Sequence, residues 1–224
     1  MNNTAGPACE AFAVQDCALA AIATGRRAYN LRELRDKLSD IDSDSIYYHF
    51  WGGLLRPRFD DPEYHNDFAI WSHCALQDAV LAERLGIINP TDFQSIEQLR
   101  EHVIEVIEER MDEREQVPAA DPDNPFYFVR SQIVVFDTSS RITRAEELCH
   151  KIPAMSVGSV FYHFIDALRR SEQDKDDFSA WLQGCFGNDY AELCGALREI
   201  DPFFSGLREL RNRLTNVFLT YLGG

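Results

Sequence analysis

The sequence predicts an α+β fold, predominantly α-helical, built as a tandem internal repeat with pseudo-two-fold symmetry. Three observations carry this. Motifs of the first half return in the same order in the second; most segments show apolar residues at helical spacing; and one segment per half is a strand candidate instead. Ser45-Ile46-Tyr47-Tyr48-His49-Phe50 returns as Ser159-Val160-Phe161-Tyr162-His163-Phe164, 114 residues later. The same offset sets Thr24 over Thr138, Leu34 over Leu148 and Leu38 over Ile152. Asp67-Phe68 and Trp71 return as Asp177-Phe178 and Trp181, offset by 110 residues. Asn89-Pro90 then matches Asp201-Pro202, and Leu99-Arg100 matches Leu210-Arg211. Colinear matches of this number point to two diverged copies, one spanning about 10–115 and the other about 126–222.

Each copy opens on a strand. Phe12–Ile22 is alanine-rich and ambiguous alone, but its partner Phe126–Phe136 (FYFVRSQIVVF) is aromatic and β-branched, which favours a strand in both. A short helix follows, with Asn30 and Thr143 as N-caps and Glu33 and Glu146 three residues on. An aromatic helix starts at Ser45 or Ser159, and another opens at Asp67 or Asp177. Each copy closes on a long amphipathic helix. Ile96, Leu99, Val103, Ile104 and Ile107 share one face of the first, and Leu207, Leu210, Leu214, Val217 and Tyr221 one face of the second. Gln116–Pro125, rich in Pro, Ala and Asp, reads as a linker. One short strand per copy makes only a marginal ribbon. The two are therefore expected to pair antiparallel and lean on helices, giving a single fused domain over 1–224.

Composition bounds the function. The 224 residues are 45% apolar and 12% aromatic, enough for a sizeable core. The net charge of -15 repels phosphate backbones and anionic headgroups, so neither nucleic acid nor membrane is an expected partner. Residues 1–117 hold 22 acidic and 11 basic side chains, with the excess concentrated in Glu105–Glu115, read as a solvated face. No segment resembles a signal peptide or a membrane span, and a cytoplasmic location is expected. The six cysteines form no C-x-x-C pair and are expected to be reduced, buried apolar residues.

No Gly-rich phosphate loop, nucleophile elbow or H-E-x-x-H helix is present, and no catalytic residue, cofactor or metal is assigned. What remains is the polar set present in both copies: His49, Arg56, Asp67 and Trp71, with His163, Arg170, Asp177 and Trp181 as counterparts. One reading is a ligand site, with imidazole as base, carboxylate as its orienter, Arg for an anionic group and Trp as a stacking wall. The other is structural: His bonds a carbonyl or Asp, the Asp residues cap their helices, and Trp fills the core. The counterparts His163, Arg170, Asp177 and Trp181 are read as structural. The first copy alone carries a longer loop, Arg56–Asn66, which adds Arg58, Glu63 and His65 to the candidate ligand-binding set. His49, His65, His73 and Glu63 have no spacing that specifies a metal.

With these residues in view, the chain resembles the bacterial and archaeal domain of unknown function 5752 family. The resemblance rests on Ala23-Thr24-Gly25, Glu33-Leu34, Ser45-Ile46-Tyr47-Tyr48-His49, Asn66-Asp67-Phe68-Ala69 with Trp71, Leu81-Ala82-Glu83 and Ser95-Ile96-Glu97-Gln98-Leu99-Arg100. Many members carry a Y-H-x-H-H-F segment; Tyr48-His49-Phe50-Trp51 lacks the extra histidines. The resemblance implies no established activity, only a frequent placement near sugar-transferring and trehalose-related enzymes. The expected function is that of an accessory or interaction protein without catalytic activity, with a protein partner or self-association. The alternative is a sugar or sugar-phosphate binder, or an enzyme, using the His/Arg/Asp/Trp pocket of the first copy.

Overall fold

The computed structural model describes residues 9–56, 63–171, 173, 175–203 and 206–223. The architecture is mostly helical α+β, with one antiparallel sheet of two strands, β1 (Phe12–Ala28) and β2 (Phe126–Ile142). Both strands are 17 residues long, six residues longer than the aromatic and alanine-rich stretches indicated. The extensions run through 23–28 in β1 and 137–142 in β2. Gly25 takes φ 75° and Ser139 φ 61°, so each strand crosses a left-handed residue and continues. Beside each, a threonine hydroxyl secures the ribbon: Thr24 Oγ1 donates to the Phe128 carbonyl at 2.7 Å, and Thr138 Oγ1 to that of Val14 at 2.6 Å. A left-handed conformation costs a side-chain-bearing residue about 1 kcal/mol that glycine does not incur. Ser139→Gly is therefore expected to raise stability by roughly 0.5–1 kcal/mol, and Gly25→Ala to lower it by a similar amount, in urea melts.

The chain divides into two compact units, Leu19–Ile133 (the central unit) and a terminal unit made of residues up to Ala18 together with those from Val134 onward. In the central unit lie α1 (Leu31–Leu38), α2 (Ser43–Leu55), α3 (Asp67–Cys74), α4 (Ala79–Gly86) and α5 (Ile96–Asp112). Asn30 caps α1 by accepting from the Glu33 amide at 2.9 Å, as expected. The aromatic helix begins at Ser43, two residues before the expected Ser45; Ser45 instead donates its hydroxyl to the Val129 carbonyl at 2.8 Å. Helix α5 packs on α1, α2 and α4. It buries Leu99, Val103, Val106 and Ile107, while Ile96 and Ile104 stay half-buried. Arg100 Nη1 donates to the carbonyls of Leu38 and Ile41, both at 2.6 Å, tying the end of α1 to the long helix. Phe126 and Phe128 from β2 complete the core, with Phe126 stacked on Phe68 at 5.1 Å. Residues before β2 are anchored by a bridge between Asn30 and Ala119 and by the Ala120 amide, which donates to the Tyr29 carbonyl at 2.7 Å.

In the terminal unit, α6 (Leu148–Lys151) follows a 3-10 turn capped at Arg144, not at Thr143. Thr143 N–H and the Arg144 amide both donate to Glu147 rather than Glu146, a register one residue later than expected. A continuous helical stretch over 157–170 comprises α7 (Val157–Val160), a π-helical segment (Phe161–Asp166) and α8 (Ala167–Arg170). Ser156 caps it, again ahead of the expected serine, Ser159. Gly158 allows α7 to lie on β1: a Cβ there would collide with the Cys17 carbonyl, and Cys17 Sγ donates to the Gly158 carbonyl at 3.3 Å. Helices α9 (Asp177–Phe186), α10 (Ala191–Arg198) and α11 (Leu207–Leu222) follow. Helix α11 buries Leu207, Leu210, Leu214 and Phe218, whereas Tyr221, expected on that face, is exposed.

The cysteines depart from expectation. Cys17, Cys149 and Cys194 are buried, Cys74 is exposed, and Cys9 and Cys185 form a disulfide with Cα atoms 5.1 Å apart. A separation of 176 residues leaves no local spacing motif to reveal that pair. Among the described residues no helix is long and apolar enough to cross a membrane.

Candidate functional site

His49 sits in α2 at 3% exposure, enclosed by Phe126 at 4.7 Å, Phe68 and Tyr48 at 5.3 Å and Phe128 at 6.1 Å between ring centroids. Both ring nitrogens are engaged. Nε2 accepts the Val129 amide of β2 at 3.1 Å, and Nδ1 lies 2.9 Å from Asp67 Oδ2. A backbone amide can only donate, so Nε2 must present its lone pair and the proton must reside on Nδ1, donated to the carboxylate. The imidazole is neutral, in one tautomer, with nothing left to offer a ligand.

Asp67 is the first residue of α3 but not its cap. Asn66 caps α3, accepting the Ala69 amide at 2.9 Å, which frees Asp67 to turn toward the imidazole. Arg56, at the end of α2, donates Nη2 to the same oxygen, Oδ2, at 2.9 Å and lies over the Tyr48 ring at 4.7 Å. Trp71, one turn along α3, donates Nε1–H to the Asn124 carbonyl at 3.0 Å and meets Phe126 edge-on at 5.6 Å. Burial pushes the His49 pKa down, against the opposing pull of the Asp67 carboxylate. Burial also works to raise Asp67, but the His49 hydrogen bond and the Arg56 charge prevail and hold it below the usual carboxylate range. The two directions agree on one state: neutral imidazole, ionised carboxylate.

The terminal unit contains the same arrangement. His163, 2% exposed, accepts the Gln15 amide of β1 on Nε2 at 2.9 Å and places Nδ1 2.7 Å from Asp177 Oδ2. Asp176, not Asp177, caps α9. Arg170 donates Nη2 to Asp177 at 3.0 Å and Nε to the buried Asp166 at 2.9 Å, and stacks on Tyr162 at 4.0 Å. Trp181 Nε1 donates to the Glu10 carbonyl at 2.9 Å, and Phe12 fills the position against His163 at 4.8 Å.

His49, Arg56, Asp67 and Trp71 are thus brought together, as are His163, Arg170, Asp177 and Trp181. Arg58 lies outside the described residues. Glu63 is exposed, His65 half-buried, and His73 exposed and tilted against the Tyr64 ring at 5.4 Å between centroids. Among the described residues no three His, Cys, Asp or Glu side chains converge as metal ligands. Sequence reading missed the partners on and just ahead of the strands: the amides of Val129 and Gln15, the rings of Phe126 and Phe12, and the carbonyls of Asn124 and Glu10. Backbone partners leave no residue-type signature. The stacking tyrosines did leave one, since Tyr48 and Tyr162 each stand eight residues before the arginine they support.

Across residues 9–219 the chain matches DUF5752, a family of unknown function. Its structure is similar to that of OrfY from the archaeon Thermoproteus tenax, with a TM-score of 0.82, 28% sequence identity, and coverage of 98% of this chain and 99% of that one. No curated protein matches.

Proposed function

We propose that this chain, which belongs to the DUF5752 family, is a non-catalytic accessory protein that works by binding another protein chain, and that its two His–Asp–Arg–Tyr clusters are struts rather than reaction centres. The observation that carries this is the double engagement of each imidazole. A general base needs a free lone pair and a general acid a proton it can give up near substrate. Here the lone pair holds a strand amide and the proton holds a carboxylate. The interaction role is supported by β2, where Val134, Val135 and Phe136 are 43%, 43% and 46% exposed in succession.

The clusters also bear on origin. The histidine, aspartate, arginine, stacking tyrosine and carbonyl-bonding tryptophan of one each have a counterpart of the same type in the other. The long helices likewise send Arg100 to the Ile41 carbonyl and Arg211 to that of Met155. This supports a reading of the two halves as diverged copies of one repeat.

A thermal-shift screen of divalent metals, sugars and phosphorylated sugars tests the functional reading on the whole chain. No compound is expected to shift the melt. A saturable shift that is lost in Arg56→Ala but kept in Arg170→Ala would establish the sugar-site alternative and sink the strut reading. Arg56 is the variant of choice because its side chain is 40% exposed, so its removal is expected to leave the fold intact.

A further inference from the structure

The Cys9–Cys185 bond joins the residues just ahead of β1 to α9 within the terminal unit. Among the described residues, two ties hold the segment just ahead of β1: the indole of Trp181 donating to the Glu10 carbonyl at 2.9 Å, and the disulfide to α9 one turn further on. Ahead of β2, the corresponding indole bond from Trp71 to the Asn124 carbonyl is reinforced by the Asn30–Ala119 bridge and the amide of Ala120. There the residues matching Cys9 and Cys185 are Asp123 and Ala75, which can form no covalent tie.

What the tie secures is the start of β1. Phe12 lies against His163, Phe178 and Trp181 at 4.8, 5.3 and 5.7 Å, Val14 accepts the Thr138 hydroxyl, and the Gln15 amide fills His163 Nε2. Cys9 is exposed and Cys185 half-buried, so the bond is open to a soluble reductant. The other thiols of this unit are not rivals for exchange. Cys17, Cys149 and Cys194 are buried, and burial pushes Cys17 up to about 12 and Cys149 in the same direction, which suppresses the attacking thiolate.

We infer that this disulfide is a redox-operated clasp: when oxidised it pins the start of β1 over the His163 cluster, and when reduced by a dithiol it lets that segment open locally. The exchange balances. One thiolate of the dithiol attacks a sulfur of the bond, the second resolves the mixed disulfide, and the two electrons and two protons leave Cys9 and Cys185 as thiols while the reductant becomes a disulfide. Opening withdraws the Gln15 amide from His163 and uncovers Phe178 and Trp181, without touching the central unit's strand anchors.

The test compares the full chain oxidised, reduced with dithiothreitol, and as Cys9→Ser. Denatured without reductant, the protein should titrate four thiols, and six after reduction. Reduction and Cys9→Ser should each speed hydrogen exchange at the Gln15 amide by roughly tenfold or more, leave Val129 unchanged, and abolish any further response to dithiothreitol in the variant. Six thiols before reduction, or equal exchange at Gln15 in all three samples, overturns the clasp. Acceleration at Gln15 and Val129 alike overturns it too, because that is global destabilisation.

Discussion

Replacing His49 with alanine is expected to lower the stability of the protein by about 3–5 kcal/mol, a large part of the 5–15 kcal/mol typical of a folded domain. Two losses combine. The ring leaves a cavity among Phe68, Phe126 and Phe128, and truncations of buried rings cost about 3–5 kcal/mol where the walls cannot collapse. The Val129 amide also loses its acceptor in a part-buried place, a penalty of about 1–3 kcal/mol. Asp67 keeps Arg56 and is not orphaned, so the terms fall short of their full sum. His49→Asn should be intermediate: its amide can donate toward Asp67 but cannot reach Val129. Urea melts of the three proteins give the ranking directly, and a midpoint for His49→Ala within error of the parent would contradict the strut account.

A second large effect concerns where the chain is cut. Residues 1–117 run through the long helix α5, yet this fragment is expected not to fold. It lacks Phe126 and Phe128, 4% and 1% exposed in the whole chain, along with the amide that His49 holds and the carbonyl that Trp71 holds. Two buried phenylalanines contribute about 1.5–3 kcal/mol each, so the loss approaches the whole stability of a small domain. Residues 19–133, nearly the same length, retain all of these and should melt cooperatively by circular dichroism. A cooperative melt from 1–117 would mean that the first half is self-sufficient without the β2 strand.

Much of this was legible in the sequence because it lies in side-chain types and spacing. The capping of α1 by Asn30, the opening of α3 at Asp67 and the apolar faces of α5 and α11 follow from local rules. So did the grouping of His49, Arg56, Asp67 and Trp71, through residues present twice. The rest is set by partners far along the chain. Whether His49 faces a cavity or a packed core depends on a backbone amide 80 residues away, and any non-proline residue supplies one. The helix starts at Ser43 and Val157 lie ahead of the serines that the sequence points to for a related reason: Ser45 and Ser159 look like caps, but Ser45 spends its hydroxyl on a strand carbonyl. The strand extensions depend on left-handed residues at Gly25 and Ser139, and a serine gives no hint of that conformation. The Cys9–Cys185 pair is invisible to spacing because the fold, not the local chain, brings it together.

A neutral, doubly bonded His49 imidazole is what makes the cluster a strut, and nitrogen-15 NMR of the histidine rings as pH is lowered tests this most directly. Burial holds the folded pKa of His49 below its unfolded value of 6.5. Above that value both states are neutral and the stabilisation is complete. As pH falls below it, the unfolded chain takes up the proton first, and stability is lost toward the folded pKa at up to about 1.4 kcal/mol per pH unit. The predicted spectrum is a single Nδ1–H tautomer at neutral pH whose ring nitrogens do not shift in the folded protein, followed on acidification by loss of the folded signal as the domain gives way. A His49 ring that titrates reversibly near pH 6.5 with the fold intact would show a lone pair free to accept a proton, and would contradict the strut reading.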